Sequence, residues 1–561
     1  MEERMKFQFV RASKPHLLGL MMMGLVMVFG TAFTAKADVS MKANISSVTI
    51  DPSTRTKINL TATSNLATAA TDGKIYIFEI KPYQKDLSGR KDYLATQPAA
   101  ANMTFSFALD SGPGEKRIYS SYVAAVKIGG GYTIVSNRCY VTNPEVVAPD
   151  QSAALNPGKK GLVIEPHLLD DAFSLNIKHA AYNISTENFF GSGIWYSFEG
   201  KSYQINAALI NELDVHVKAL SDHGIAVTAI LLNGWNSAVP ELYRPGTTQL
   251  ASSQAMYYAF NVETEQGFRA IKAMASFLAK RYNGSNGHGK ITNWVIGNEI
   301  NNQYWNYTGD LDVASYMRIF QRSFRVFYTA IKSESANDNV MFSIDQYWNM
   351  LPESGAVSKY KAKDVLEYFN AIGYEEGQFD WGLALHPYPY PLTSPNFWND
   401  GASGKVTQDV SSPVVSFCNL HVITDFMQNA AILSPKGRVR HIFLTEEGFT
   451  SRSGSKDTSM EQAAAVAYSY YIVANNPYIE AYMMSRQADS GVEVSAGGLA
   501  FGLSSGYNGT GDTSTLAAKP AHEVFKNIDN PALSLAASEF AKPIIGITDW
   551  AQAIPGFQAP Q

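Results

Sequence analysis

The chain has 561 residues, with 45 Lys+Arg against 50 Asp+Glu for a formal net charge of −5, 12% aromatic residues and two cysteines. This balance argues against nucleic acid and anionic membrane surfaces as partners. Two cysteines exclude a disulfide scaffold but leave a single Cys139–Cys418 bridge open.

Residues 1–37 read as a signal peptide. Arg4, Lys6, Arg11 and Lys14 precede an apolar run from Leu17 to Phe33, and Ala35-Lys36-Ala37 supplies the small residues of a cleavage site. The run is at the short limit for a membrane span, and the small-residue site follows at once. Export with cleavage is expected, to an extracellular or periplasmic location, with no stable membrane insertion afterwards. No cysteine near the site indicates lipid acylation. The mature chain would carry 40 Lys+Arg against 48 Asp+Glu, a net charge of −8, and it is long enough for one large domain and a small one.

Residues 38–143 show short strands with period-two alternation, as in Lys57-Ile-Asn-Leu-Thr-Ala62 and Lys74-Ile-Tyr-Ile-Phe-Glu-Ile80. Their regular spacing predicts a small all-β, immunoglobulin-like sandwich. A linker follows over 144–160, punctuated by Pro144, Pro149 and Pro157-Gly158.

From Gly161 the rhythm becomes strand, helix, strand, helix. Strands are expected at Gly161–Glu165, Ile177–Asn183, Ile225–Leu232, Ile291–Ile296, Val340–Ile344, Trp381–Leu385, Val439–Leu444 and Tyr478–Met484. Helical stripes such as Phe268, Ile271, Ala275, Leu278 and Tyr282 lie between them. A longer helix is expected over 414–433. Eight such units over 161–528 predict an α/β fold, a (β/α)₈ TIM barrel, with 529–561 as a C-terminal tail. A doubly wound open sheet shows the same alternation, but no Gly-x-Gly-x-x-Gly follows a strand.

Two of these strands end abruptly in a glutamate, at Asn293-Trp-Val-Ile-Gly-Asn-Glu299 and at Phe443-Leu-Thr-Glu-Glu-Gly-Phe449. A carboxylate where a buried strand emerges is costly unless something uses it. In a barrel, the C-terminal ends of the fourth and seventh strands face each other across one mouth. Retaining glycoside hydrolysis needs two carboxyls roughly 5–5.5 Å apart, one as nucleophile and one as acid, then base. Glu446 and Glu447 compete for the seventh-strand position, and alternation sends their side chains opposite ways.

The Gly-Asn-Glu ending of strand four and the Thr-Glu-x-Gly ending of strand seven resemble the clan A retaining glycoside hydrolases, specifically a poorly characterised bacterial family within that clan. The resemblance implies that Glu299 is the acid/base, Glu446 the nucleophile, and Asn298 a contact to the sugar 2-hydroxyl. His386-Pro-Tyr388 on strand six resembles the clan's His-x-Tyr, which makes Tyr388 the residue that orients Glu446 and His386 a site-lining one. Phe501-Gly502-Leu503 and Lys519-Pro520-Ala521 resemble the closing segment of several clan families. The chain departs from the clan at Asn183, where many members carry an arginine, and at Ser485-Arg486-Gln487, where many carry a tryptophan. Sugar identity therefore does not carry over.

Trp235, Tyr304, Trp305, Trp348, Tyr390 and Trp398 follow strand ends and are candidates for stacking on sugar rings, Trp235 and Trp305 first. Tyr388 and Arg486 are the groups expected to keep the nucleophile ionised, and the paired carboxyls predict a bell-shaped pH profile. The expected partner is a carbohydrate; no metal or organic cofactor is implied, and oligomeric state stays open. The leading function is a secreted retaining β-glycoside hydrolase. The alternatives are an inactive carbohydrate-binding or surface protein on the same barrel and a transglycosylase using the same residues.

Overall fold

The computed structural model describes residues 41–66, 72–112, 115–353, 355–510 and 513–561. The leader expected over 1–37 lies outside them. Among the described residues no helix is long and apolar enough to cross a membrane.

The N-terminal part consists of two small antiparallel sheets. Ala43–Ile50, Lys57–Ser64 and Asn102–Ala108 form the first. In the second, Lys74–Ile80 pairs with Ala95–Pro98 and Ser121–Ile128, and the latter also pairs with Gly131–Ile134 and Cys139–Tyr140. Burial in Asn102–Ala108 alternates strictly, so that Met103, Phe105 and Phe107 face inward. Cys139 and Cys418 are both free.

These sheets dock on the helical shell that follows. Tyr119 Oη and Ser276 Oγ share a buried hydrogen bond of 2.9 Å. The Arg325 guanidinium lies 4.7 Å from the Tyr140 ring centre and 4.2 Å from that of Phe379, and it donates to the Gly377 carbonyl at 2.7 Å. Stacking on two rings and a hydrogen bond together offset the cost of burying that charge.

Eight parallel strands then close into a barrel. In chain order they are Lys160–Val163, His179–Ser185, Ala226–Leu232, Ile291–Ile296, Asn339–Ile344, Gly382–Leu385, Ile442–Glu447 and Ile479–Met484. The eighth pairs with the first, with Tyr482 opposite Lys160, so no sheet edge is left open. Closure rules out the open doubly wound sheet. Val163, Ala181, Ile230, Leu232, Val295, Met341, Ala384, Phe443, Ala481 and Met483 fill the interior as one apolar cluster.

Helices such as Ala207–Asp222, Glu265–Arg281, Val313–Lys332, Ala362–Glu376 and Ser459–Ala474 cover the outside. Two local features differ from expectation. The helix expected over 414–433 runs only over His421–Met427. Ahead of it Ser416 and Asn419 exchange side-chain-to-backbone hydrogen bonds around a short 3₁₀ turn, and beyond it the Asn429 side chain donates to the Phe426 carbonyl. Polar side chains that compete for backbone groups in this way favour turns over helix interiors. A hairpin, Gly193–Phe198 with Lys201–Asn206, also intervenes between the second strand and its helix.

Residues 529–561 pack on the barrel. Trp550 is buried edge-on against Tyr471, with ring centres 4.8 Å apart. The Lys160 ammonium at the base of the first strand donates to the Phe525 and Lys526 carbonyls and pairs with Asp529.

Candidate active site

The fourth strand ends in a tight turn. Gly297 has φ of +77° and Glu299 +37°, a left-handed conformation that side chains other than glycine adopt at a cost of about 1–3 kcal/mol. The turn is held from the fifth strand: Glu299 N donates to Ser343 Oγ at 2.7 Å, and Ile300 N to the Ser343 carbonyl at 3.0 Å. Strain of this kind persists where the surroundings over-determine it, and here the turn leaves the Glu299 carboxyl within hydrogen-bond reach of His386 on the sixth strand's end.

His386 joins the two candidate carboxyls. Its Nδ1 lies 2.9 Å from Glu299 Oε1 and 3.9 Å from Glu446 Oε2, while Nε2 lies 3.1 Å from Thr445 Oγ1. Two oxygens at those distances from one nitrogen cannot be farther apart than the sum of the two. That ceiling accommodates the roughly 5–5.5 Å of a retaining pair and only just reaches the lower end of the roughly 6.5–9.5 Å of an inverting one. Burial alone would lower the His386 pKa, but its hydrogen bond to Glu299 and the charges of Glu446, Glu299 and Asp345 prevail and raise it. An imidazolium between two carboxyls offsets their mutual repulsion.

Tyr388 Oη donates to Glu446 Oε1 at 2.6 Å. Burial, and then the Glu446 charge, push the phenol well above its ordinary pKa, so it stays a donor. Tyr388→Phe removes a hydrogen bond to a charged group, worth about 1.5–3 kcal/mol. Steady-state kinetics on the variant should show kcat lower by about tenfold to a hundredfold with the fold intact.

The neighbouring Glu447 is fully buried, with neither carboxyl oxygen hydrogen-bonded among the described residues. Burial and the adjacent Glu446 charge push it well above the usual carboxylate range, so it is held neutral. Glu446 is the carboxyl that faces the mouth. Gly448 lets the chain turn away behind it, because a Cβ there would strike the Ser485 carbonyl and the Phe501 ring.

Asp345, at the end of the fifth strand, is also brought to this centre. Its Oδ1 accepts from Asn301 Nδ2 at 2.7 Å and from Tyr347 N at 2.8 Å. Burial and the Glu299 charge push it up to about 8. A carboxyl whose native pKa lies above the unfolded value of about 3.9 keeps a proton that the unfolded chain has released. Its stabilising effect is full below about pH 4 and is lost as pH rises through about 8. Asp345→Asn keeps an acceptor for Asn301 and Tyr347, so thermal melts should show the variant gaining on wild type by about 2 °C or more between pH 5 and pH 8.

The other expected site residues are placed as follows. Asn298 is buried beside Glu299. Asn183 is exposed at the end of the second strand, two residues beyond the inward-facing Ala181. Trp305 stacks with Tyr257 at 6.0 Å, and Tyr257 packs against the apolar cluster that fills the barrel interior. Trp235 stacks with Tyr243 at 4.4 Å inside the loop after the third strand. Trp348 is core, donating to the Val410 carbonyl. Arg486 pairs with Glu493 at 2.7 Å instead of with Glu446.

Asp345 is the site residue that the sequence motifs do not single out, although Met341-Phe-Ser-Ile-Asp345 carries the same signal as Glu299 and Glu446, a strand that ends in a carboxylate. Among the described residues no group of three or more His, Cys, Asp or Glu is arranged to hold a metal ion.

Residues 152–553 match the model of a family described as a family of unknown function, DUF5722. The chain belongs to DUF5722. The match begins after the N-terminal sheets and takes in the whole barrel. No curated protein matches this DUF5722 chain. Solved structures similar to it include a family 39 glycoside hydrolase from Bacteroides cellulosilyticus WH2, at 15% identity and a TM-score of 0.42 over 86% of this chain and 82% of that one. A family 1 β-glucosidase from Thermotoga maritima is 11% identical at a TM-score of 0.40, over 64% and 84% of the two chains. A glucosidase from Croceicoccus marinus is 12% identical at 0.39, over 68% of each.

Proposed function

We propose that this DUF5722 protein is an exported retaining β-glycoside hydrolase of the clan A type, acting on an oligo- or polysaccharide. The observation that carries the reading is the convergence of Glu299 and Glu446 on His386 Nδ1, with Tyr388 donating to Glu446. Glu446 attacks the anomeric carbon while Glu299 protonates the departing glycosidic oxygen. A covalent glycosyl-enzyme forms, and Glu299 then takes a proton from the water that hydrolyses it. Tyr388 supports the charged form of Glu446 before attack and can turn to the ring oxygen once that charge is consumed. His386 holds Glu299 in place through a hydrogen bond that is itself anchored by Thr445. Asn298 is the contact for the sugar 2-hydroxyl, and Trp305 with Tyr257 is the stacking face. The N-terminal sheets serve as an immunoglobulin-like packing module for the barrel.

The test is product release from a broad panel of β-linked glycans by the purified protein, with Glu446→Gln as control. Release by the wild type alone supports the hydrolase. Absence of cleavage, with a glycan that still raises the melting temperature by mass action, would move the protein to the class of carbohydrate-binding barrels. Products longer than the substrate would identify a transglycosylase.

A further inference from the structure

A cavity of about 460 Å³ lies where the N-terminal sheets meet the helix Glu265–Arg281. That volume falls within the roughly 300–1,000 Å³ of small-molecule sites, which form preferentially at junctions of this kind. One wall comes from the loop that joins Lys74–Ile80 to Ala95–Pro98, with Lys81, Tyr83, Arg90 and Tyr93. The other is Glu265 and Arg269, on the first two turns of the helix. None of Glu299, Glu446, His386 or Tyr388 lines it.

The charges of this cavity close on themselves. The Lys81 ammonium pairs with Glu79 at 3.0 Å and with Glu115 at 2.8 Å, and Arg117 pairs with Glu79 at 3.2 Å. Arg269 bridges Glu115 at 3.0 Å and Glu265 at 2.9 Å, while Arg90 holds Asp92 at 2.7 Å. Four cations therefore balance four carboxylates. Burial opposes both charges of the Lys81–Glu115 pair, but the partner charges prevail, raising the Lys81 pKa and lowering that of Glu115. A charged ligand would have to displace one of these partners and leave it unpaired. A hydroxyl does not, because it donates to a carboxylate and accepts from a guanidinium at once. Arg117 and Arg269 each keep one guanidinium nitrogen, Nη2 and Nη1, without a partner among the described residues.

The two tyrosines supply apolar faces. Tyr83 is backed by Phe268 at 5.7 Å and Tyr93 edge-on by Tyr76 at 4.9 Å, so both rings are fixed before a ligand arrives. Tyr93 is 43% exposed, a large share for an aromatic ring held in this way. Each ring offers an apolar body and a polar tip. That combination matches the C–H face and hydroxyl rim of a sugar.

We propose that this cavity is a second saccharide site, which binds a short stretch of neutral glycan at the junction of the N-terminal sheets and the barrel, apart from the reacting carboxyls. Tyr83 and Tyr93 stack on the sugar, and the ion-pair network reads its hydroxyls. The N-terminal sheets then do more than pack on the barrel, since they complete a site of which the helix supplies one wall. The inference stands apart from the hydrolase reading, because no reacting group enters it.

The experiment is calorimetry on the Glu446→Gln protein, in which bound glycans are not consumed. The probes are neutral cello-, xylo- and manno-tetrasaccharides, with tetragalacturonate as the acidic one. Tyr93→Ala should weaken the tightest neutral ligand at this site about two- to tenfold, and Tyr83→Ala/Tyr93→Ala should weaken it further. A thermal melt checks that each variant folds. A crystal structure of the Glu446→Gln protein soaked with the same tetrasaccharide needs no change in the cavity and locates the sugar directly. Sugar bound between Tyr83, Tyr93 and Arg269 upholds the proposal. Sugar confined to the barrel mouth, unchanged affinity in folded tyrosine variants, tighter binding of tetragalacturonate, or no binding of any saccharide would overturn it. Binding in the cavity by a wild-type protein that cleaves no glycan would uphold the site and bring down the hydrolase reading alone.

Discussion

Glu446→Gln is expected to lower kcat by about 10⁴-fold or more while leaving the melting temperature within a few degrees of wild type. The amide is nearly isosteric, and its carbonyl oxygen still accepts from Tyr388, so the local hydrogen bond survives. What is lost is the negative charge that makes the carboxylate a nucleophile toward the anomeric carbon, and no other group replaces it. Circular dichroism and a thermal melt separate this loss from unfolding. The neighbouring position supplies the control that matters most. Glu447 is buried without a partner and held neutral, so Glu447→Gln removes nothing from the reacting pair. If that substitution abolished turnover while Glu446→Gln did not, the assignment of the two adjacent glutamates would be reversed.

Glu299→Gln should cost about 10²–10⁴-fold, and the size of the loss should follow the leaving group. A sugar alkoxide cannot depart without a proton, so natural glycosides should show the full deficit. A 4-nitrophenolate departs unaided, so an aryl glycoside should still form the glycosyl-enzyme in a burst and then stall, because the water that attacks the anomeric carbon in the deglycosylation step has lost its base. The observable is a pre-steady-state burst of nitrophenol followed by slow turnover. A variant that lost aryl and natural substrates equally, with no burst, would remove Glu299 from the acid/base role. The hydrogen bond from His386 to Glu299 has a further consequence for this variant: Gln offers His386 a neutral acceptor and lowers the local negative charge that keeps the imidazole protonated. Kinetics should therefore be measured over a pH range, not at one value.

The barrel was legible because its strands are buried on both faces and its helices are stripes. Ile291–Ile296 reads as strand from six consecutive buried residues, and the stripe from Phe268 to Tyr282 falls on the helix Glu265–Arg281 and its C-terminal cap. These are local patterns, set by what each segment must bury. The helix expected over 414–433 shortened to His421–Met427 because Ser416, Asn419 and Asn429 bond to nearby backbone, a competition that an apolar pattern does not register.

At the site, the residue types at the strand ends were readable, but their pairing was not. Glu446 and Glu447 are equivalent in composition, and only the packing of the seventh strand against the eighth leaves one in the mouth and the other sealed beneath it. Arg486 was expected to support Glu446 only after Tyr388; the helix Gly491–Gly497 instead brings Glu493 to it. Asp345 gained its importance from a neighbour 46 positions away in sequence, since its raised pKa comes from burial and from Glu299. Sequence alone decided the alternating order of strands and helices and the carboxylates that end the strands, because each is written in a local run of residues, whereas closure of the barrel was decided by the pairing of the eighth strand with the first. Which carboxylates meet, which is neutral and which cation is already spent were decided by the tertiary structure, because electrostatic energies depend on distances between residues that the chain brings together only when the barrel closes.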